Sequence, residues 1–271
     1  METPVLEQRH GPIVTLTLND PERANPLSAP VAEALVTALG RAARNDQVRA
    51  VVLTGAGRHF SAGADLAALE RIAAGGDDEA NLEDSRRLER LFAAVIEHPQ
   101  LTVAAVHGAA VAGGCGLATA CDLVVADRSA RFAYTEVKIG FIPALVSTFI
   151  NRRVAGRVAR RLFLDPETVD ADRAAALGLV DEVVDDGAAL EHARRLALSV
   201  CRKGSPAAIA ATKRLLNDTV YSGWREALAR AAEANALQRL HPECRLGVRT
   251  FLESKRTPDW LEEALEPDDQ G

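Results

Sequence analysis

Three short apolar stretches, RAVVLT at 49–54, TVAAVH at 102–107 and LVVA at 123–126, are set among segments whose apolar residues recur at helical spacing. That alternation constrains the fold more than any other feature. Runs of four to six apolar residues read as strands, and the longer periodic segments read as helices. Repeated strand–helix units define the α/β class. Residues 5–8 and 13–18 alternate in period two around Gly11 and Pro12 and predict a β-hairpin. Ser28 reads as the N-cap of a helix to about Arg44, with Val31, Leu35 and Leu39 on one face. Helices are expected at 66–73 and 82–98, separated by AAGGDDEAN, a Gly/Asp-rich loop and the candidate mobile segment. From 127 to 170 the pattern is irregular and then helical, and 178–184 reads as a last strand. Beyond Asp186 it is purely helical, at 188–200, 206–217 behind a Ser205 cap, 223–240 and 244–254. The expected organisation is therefore a strand-and-helix core at 1–186 and a helical region at 187–271.

Composition excludes several functions. No apolar run approaches the ~18 residues of a membrane span, and the start METPVLEQRHGP lacks the basic and apolar segments of a secretory signal, so a cytoplasmic protein is expected. A net charge of −6 disfavours a nucleic-acid partner. Cys115, Cys121, Cys201 and Cys244 form no CxxC pair, which predicts buried reduced thiols and neither a metal site nor disulfides.

Two glycine-containing stretches point to a ligand. In GAGRHFSAGADL (55–66), the third glycine of a dinucleotide GxGxxG would fall at Phe60, and GxSxG would need glycine at His59, so neither a dinucleotide fold nor a nucleophile elbow is present. What remains is small residues leading into a helix, where backbone N–H groups are open to negative charge. Gly113, Gly114 and Gly116, between a strand and the short helix-like 117–121, repeat the arrangement. Brought together, the two stretches would form an oxyanion hole. Tight packing of turns against helices explains either cluster alone equally well. Read alone, Glu136 is an exposed glutamate answering Lys138 or a helix dipole. His107 reads as a structural residue at a strand end.

The ordered set PERANPLS (21–28), FSAGADL (60–66), AGGCGLATACDLVVA (112–126), TEVKIGFIP (135–143) and ALGLVDEVV (176–184) resembles the enoyl-CoA hydratase/isomerase, or crotonase, family over nearly the whole chain. The resemblance implies a spiral of ββα turns and a C-terminal helical region that assembles homotrimers or hexamers. It implies an acyl-CoA substrate, no cofactor beyond the coenzyme A that the substrate carries, and no metal. The peptide N–H groups of Ala62 and Gly113 would hold the thioester oxygen. Arg23 and Ala24 would lie along the pantetheine and phosphates, and Ala64, Asp65 and Leu66 near the adenine. Phe251 and Lys255 would complete the CoA site, with surface charge the simpler reading of Lys255. The best-known hydratases of this family carry two glutamates, one where Gly116 stands here and one at Glu136; this chain keeps the second alone, so the resemblance makes Glu136 the candidate acid–base residue, its pKa to be raised by Phe132, Ile139, Phe141 and Ile142, and Tyr134 a candidate for orienting water. Glycine at 116 with TEVKIGFIPALVS looks like the branch hydrating methylglutaconyl-CoA and similar branched enoyl-CoAs, which suggests a role in leucine or terpenoid degradation. The readings that follow are a single-glutamate hydratase, a Δ3,Δ2-enoyl-CoA isomerase, and a non-catalytic acyl-CoA binder.

Overall fold

The computed structural model describes residues 3–75 and 78–262. Its N-terminal hairpin is β1 (Val5–His10) and β2 (Ile13–Leu18), paired antiparallel with Val5 opposite Leu18. Then come α1 (Ala29–Ala43), β3 (Ala50–Gly55), α2 (Leu66–Gly75), α3 (Asp78–Ile96) and β4 (Leu101–Val106). β5 (Ala109–Val111), α4 (Gly113–Ala120), β6 (Leu123–Asp127) and β7 (Arg131–Ala133) follow, and a 3-10 turn at Glu136–Ile139 leads into α5 (Ala144–Ser147). The rest comprises α6 (Gly156–Leu164), β8 (Val169–Asp170), α7 (Ala171–Leu177), β9 (Glu182–Val184), α8 (Ala189–Lys203), α9 (Pro206–Thr219), α10 (Trp224–Leu240) and α11 (Pro242–Ser254).

Six strands form one sheet in the order β1-β2-β3-β4-β6-β9, parallel except for the hairpin. β3 and β4 are buried along their whole length, which accounts for their unbroken apolar sequence. Alternate residues serve the two faces: Val51, Leu53, Ala104 and Val106 meet the core under α1 and α3, while Ala50, Val52, Val103 and Ala105 meet α8. α8 fits there because Ala189, Ala193, Ala197 and Cys201, four residues apart, give it one small, flat stripe. The division at 186/187 thus falls just ahead of a helix that packs on the sheet.

β5, β7 and β8 form a second, three-stranded sheet. Strands of two or three residues are too short to show a period, so none of these three is expected from the sequence. Other expectations are corrected in detail. The glycine cluster is the first turn of α4, not a loop before it. The strand expected at 178–184 shrinks to Glu182–Val184, because Gly178, at φ +87, ends α7. Ser28 precedes α1 without a side-chain cap bond, whereas Ser205 accepts from the Ala208 N–H at 3.0 Å. The loop expected at 73–81 narrows, since α2 runs to Gly75 and α3 starts at Asp78; positions 76 and 77 lie outside the described residues.

α9 is tied to the core by Lys213, whose Nζ donates to the Gln100 carbonyl (2.7 Å) and to Asp122 Oδ2 (2.6 Å). Asp122 in turn accepts from the Thr102 N–H and hydroxyl. α10 contributes no buried residue, and its Trp224, Leu228, Leu237 and Leu240 are exposed. Cys115, Cys121 and Cys201 are buried and Cys244 half-buried, all as free thiols. Among the described residues no helix is long and apolar enough to cross a membrane.

Candidate active site

The small sheet brings the distant motifs together. Val111 of β5 pairs in parallel with Ala133 of β7, and on the other side of β5 the 60–62 segment bridges in parallel through Ser61 and Ala110. Outside that, Pro26 bridges Gly63, and the Leu27 N–H donates to the Gly63 carbonyl at 2.7 Å. Four chain segments therefore leave side by side in one direction, delivering Gly63–Ala64, Ala112–Gly113 and Glu136 to the same end.

Asn25 locks this array. Its backbone sits at φ +54, its Oδ1 accepts from the Asp20 N–H, and its Nδ2 donates to the carbonyls of Ala56 (2.9 Å) and His59 (2.7 Å). Its own carbonyl accepts from the Ser61 hydroxyl at 2.8 Å. Neither Asn25 nor Ser61 was singled out by sequence reasoning, although PERANPLS and FSAGADL contain them. Polar residues so fully bonded at a turn show no period or charge pattern that marks them.

Of the two expected amide donors, the structure keeps one. The Ala62 N–H donates to the Ala24 carbonyl at 2.8 Å and is not free. The Ala64 and Gly113 N–H groups have no acceptor among the described residues, and they are neighbours: a Cβ built on Gly113 would lie 3.9 Å from the Ala64 nitrogen. The two amides free to donate side by side are thus those of Ala64, expected near the adenine, and Gly113. Two unusual backbone conformations expose these amides, Gly63 at φ +87 and Ala112 at φ +50, ψ −124. For a residue with a Cβ the second is strained by about 1–3 kcal/mol. Ala112→Gly is expected to raise stability by about 1 kcal/mol, read as an increase of a few degrees in Tm.

Glu136 begins the 3-10 turn and is buried, its Oε2 lacking any hydrogen-bond partner among the described residues. Burial raises its pKa above the usual carboxylate range, and a bond from its own N–H offsets only part of that. The exposed-glutamate alternative is therefore excluded. The surroundings differ from expectation: Phe132 is buried, but Ile139, Phe141 and Ile142 are exposed. The groups whose titration feels the Glu136 charge are Cys115 and Tyr134. Tyr134 is a correction, since it is 1% exposed, stacks edge-on against Phe163 and shares a 3.2 Å hydrogen bond with the Thr119 hydroxyl. It is packed in the core under the site and is not placed to touch substrate. Burial pushes the Cys115 thiol up to about 12, which makes it inert.

Gly116, expected as a catalytic position, faces apolar side chains. A Cβ there would lie 2.5 Å from Val146 Cγ2 and 3.4 Å from Phe92 Cζ, so the place of a second glutamate is filled. Arg23, half-exposed, forms an ion pair with Asp65 and a second with Asp20 (3.3 Å). Burial disfavours the Asp65 carboxylate, but the Arg23 guanidinium and the Ala68 N–H outweigh it and hold its pKa below the usual value. Ala24 takes the left-handed conformation between Arg23 and Asn25, and Leu66 is exposed at the start of α2. Phe251 and Lys255 lie at the exposed end of α11, where the Lys255 ammonium stands 5.9 Å over the Phe251 ring, and α11 packs on α9 and α10. His107 bonds the Gly57 carbonyl through Nε2 at 3.1 Å, as a structural residue does.

A family model described as enoyl-CoA hydratase/isomerase matches residues 8–263. The chain belongs to that family. A Thermus thermophilus protein whose name places it among enoyl-CoA hydratases is 48% identical over 254 residues, covering 94% of this chain and 99% of its own length. The 2,3-dehydroadipyl-CoA hydratase of Escherichia coli K12 is 34% identical over 257 residues, with 94% and 98% covered. The crystal structure of an enoyl-CoA hydratase from Mycobacterium smegmatis superposes with a TM-score of 0.87 at 35% identity, covering 96% of this chain and 99% of that one. This enoyl-CoA hydratase/isomerase family member is thus an enzyme with the crotonase fold, and binding of an acyl-CoA accords with its family.

Proposed function

We propose that the enzyme adds water reversibly to a short or branched 2-enoyl-CoA, such as methylglutaconyl-CoA, in the cytoplasm, with Glu136 as the only acid–base side chain. The observation that carries this reading is a buried carboxyl with an unpartnered oxygen at the same end of the small sheet as two free amides. The Ala64 and Gly113 N–H groups donate to the thioester oxygen and stabilise it as charge develops, each by about 3 kcal/mol in the transition state. The water oxygen bonds to C3, a water proton passes to Glu136, and a proton returns through the same carboxyl to C2. One molecule of water is gained and the carboxyl is restored.

Arg23, Ala24, Asp65 and Leu66 line the path of the CoA, with Arg23 exchanging Asp65 for a phosphate. Phe251 and Lys255 contact CoA from a neighbouring subunit, which suits the exposure of Phe251. The exposed apolar residues of α10 suit the self-association of a homotrimer or hexamer. No cofactor is required beyond the coenzyme A of the substrate. A second reading, Δ3,Δ2-enoyl-CoA isomerisation, is favoured by Val146, since a site with its second carboxylate position filled can still carry one proton from C2 to C4.

The test is product analysis in heavy-oxygen water with crotonyl-CoA, 3-methylglutaconyl-CoA and a 3-enoyl-CoA. Oxygen gain supports hydration, and a bond shift without oxygen gain supports the isomerase. Tight binding with no turnover would make the protein an acyl-CoA binder.

A further inference from the structure

Gly116 lies in the first turns of α4, next to Cys115, whose titration feels Glu136. The space that any side chain at 116 would enter is already taken. Val146 reaches it from α5 with Cγ2 at 2.5 Å from the Gly116 Cβ position, and Phe92 of α3 closes it from behind at 3.4 Å. Phe92 is itself backed by Phe149, their ring centroids 5.3 Å apart. Val146, Phe92 and Phe149 are all buried, so the wall is held from three places in the chain and has little freedom to give.

We propose that Val146 is the specificity-determining residue that sets the ratio of hydration to double-bond migration at this site; the inference rests on the function proposed above. Hydration needs a water molecule beside the reacting carbons, whereas migration needs only the Glu136 carboxyl, which takes a proton from C2 of a 3-enoyl-CoA and returns one to C4. A side chain at 116 would leave α4 one turn after the free Gly113 amide, and the Val146 methyls that fill its place there offer no donor or acceptor. Water is therefore restricted to what Glu136 alone can hold. Replacing valine by alanine removes two methyl groups and opens about the ~30 Å³ that a water molecule occupies in the liquid.

The experiment measures, for the wild type and Val146→Ala, kcat/KM for oxygen gain by a 2-enoyl-CoA and kcat/KM for bond migration in a 3-enoyl-CoA. The variant is expected to raise the ratio of the first to the second about tenfold. A ratio within twofold of wild type, in a variant shown to be folded by its Tm, overturns the inference while leaving the function standing. The packing is tested without activity. Gly116→Ala is expected to lower Tm by about 4–8 °C in the wild-type background and by much less when combined with V146A; an equal loss in both backgrounds also overturns the inference. Failure of the wild type to turn over either substrate refutes the proposed function, and the inference falls with it.

Discussion

Glu136→Gln abolishes turnover, by about 10³-fold or more, while raising the melting temperature. The loss follows because Glu136 is the buried carboxyl with an unpartnered oxygen among the described residues at the end of the small sheet that carries the two amides, and a general acid–base group contributes about 10²–10⁴-fold. The gain follows from the electrostatics of the same side chain. Its pKa is raised by burial, so the protonated form is the one the fold favours. That contribution is complete below the ordinary carboxylate range and is lost as pH rises through the raised value. At a pH above that raised value the wild type carries a buried carboxylate whose Oε2 has no partner among the described residues, and the neutral amide relieves it, by about 1 kcal/mol or a few degrees. In the wild type, kcat/KM for hydration rises with pH through the same raised pKa, because the carboxylate is the base. Melting curves and pH–rate profiles of the two proteins check both halves. Retained turnover in the glutamine variant would remove Glu136 from the chemistry, and an unchanged or lower Tm would mean that its burial is not costly.

Gly63→Ala is expected to damage folding and chemistry together, lowering stability by about 3 kcal/mol and turnover by about 10²–10³-fold. Gly63 sits at φ +87, where a Cβ is strained, and that Cβ would lie 2.6 Å from the Val111 carbonyl oxygen and 3.0 Å from the Gly113 nitrogen. Both contacts are to backbone, so the segments carrying the two amide donors must separate. Gly113→Ala is the comparison: its Cβ would meet Leu27 Cδ1 at a comfortable 3.5 Å, so it leaves stability nearly unchanged. Thermal melting and product analysis of both variants distinguish them. Normal turnover in the Gly63 variant would refute the assignment of the Ala64 and Gly113 amides as a pair.

The large sheet was legible in the sequence because its strands are buried on both faces, and such strands leave unbroken apolar runs, as AVVLTG and LTVAAV do. Glu136 and Gly113 were legible through their motifs. The identity of the second donor was not, because Ala62 and Ala64 are the same residue type two positions apart. Only the bond from the Ala62 N–H to Ala24 tells them apart. The filling of the Gly116 site was hidden for a different reason: Val146 lies 30 positions away, and although TEVKIGFIPALVS contains it, nothing in that stretch tells which side chain packs against Gly116. Ile139, Phe141 and Ile142 misled in the opposite sense, since nearness to Glu136 along the chain suggested a pocket, yet all three face outward.

The pairing of Val111 with Ala133 leaves two residues to reach Gly113 and three to reach Glu136. A single residue inserted between 133 and 136 would carry the carboxyl about 3.3 Å onward and turn it to the opposite side of the strand direction. Length variation among active descendants of this chain is therefore confined to segments outside 111–113 and 133–136. An engineer splicing tags or loops into the enzyme has the surface turn at Gly11, φ +59 with open space around it, as a tolerant position, and the short path from Ala133 to Glu136 as one where not a single residue can be added.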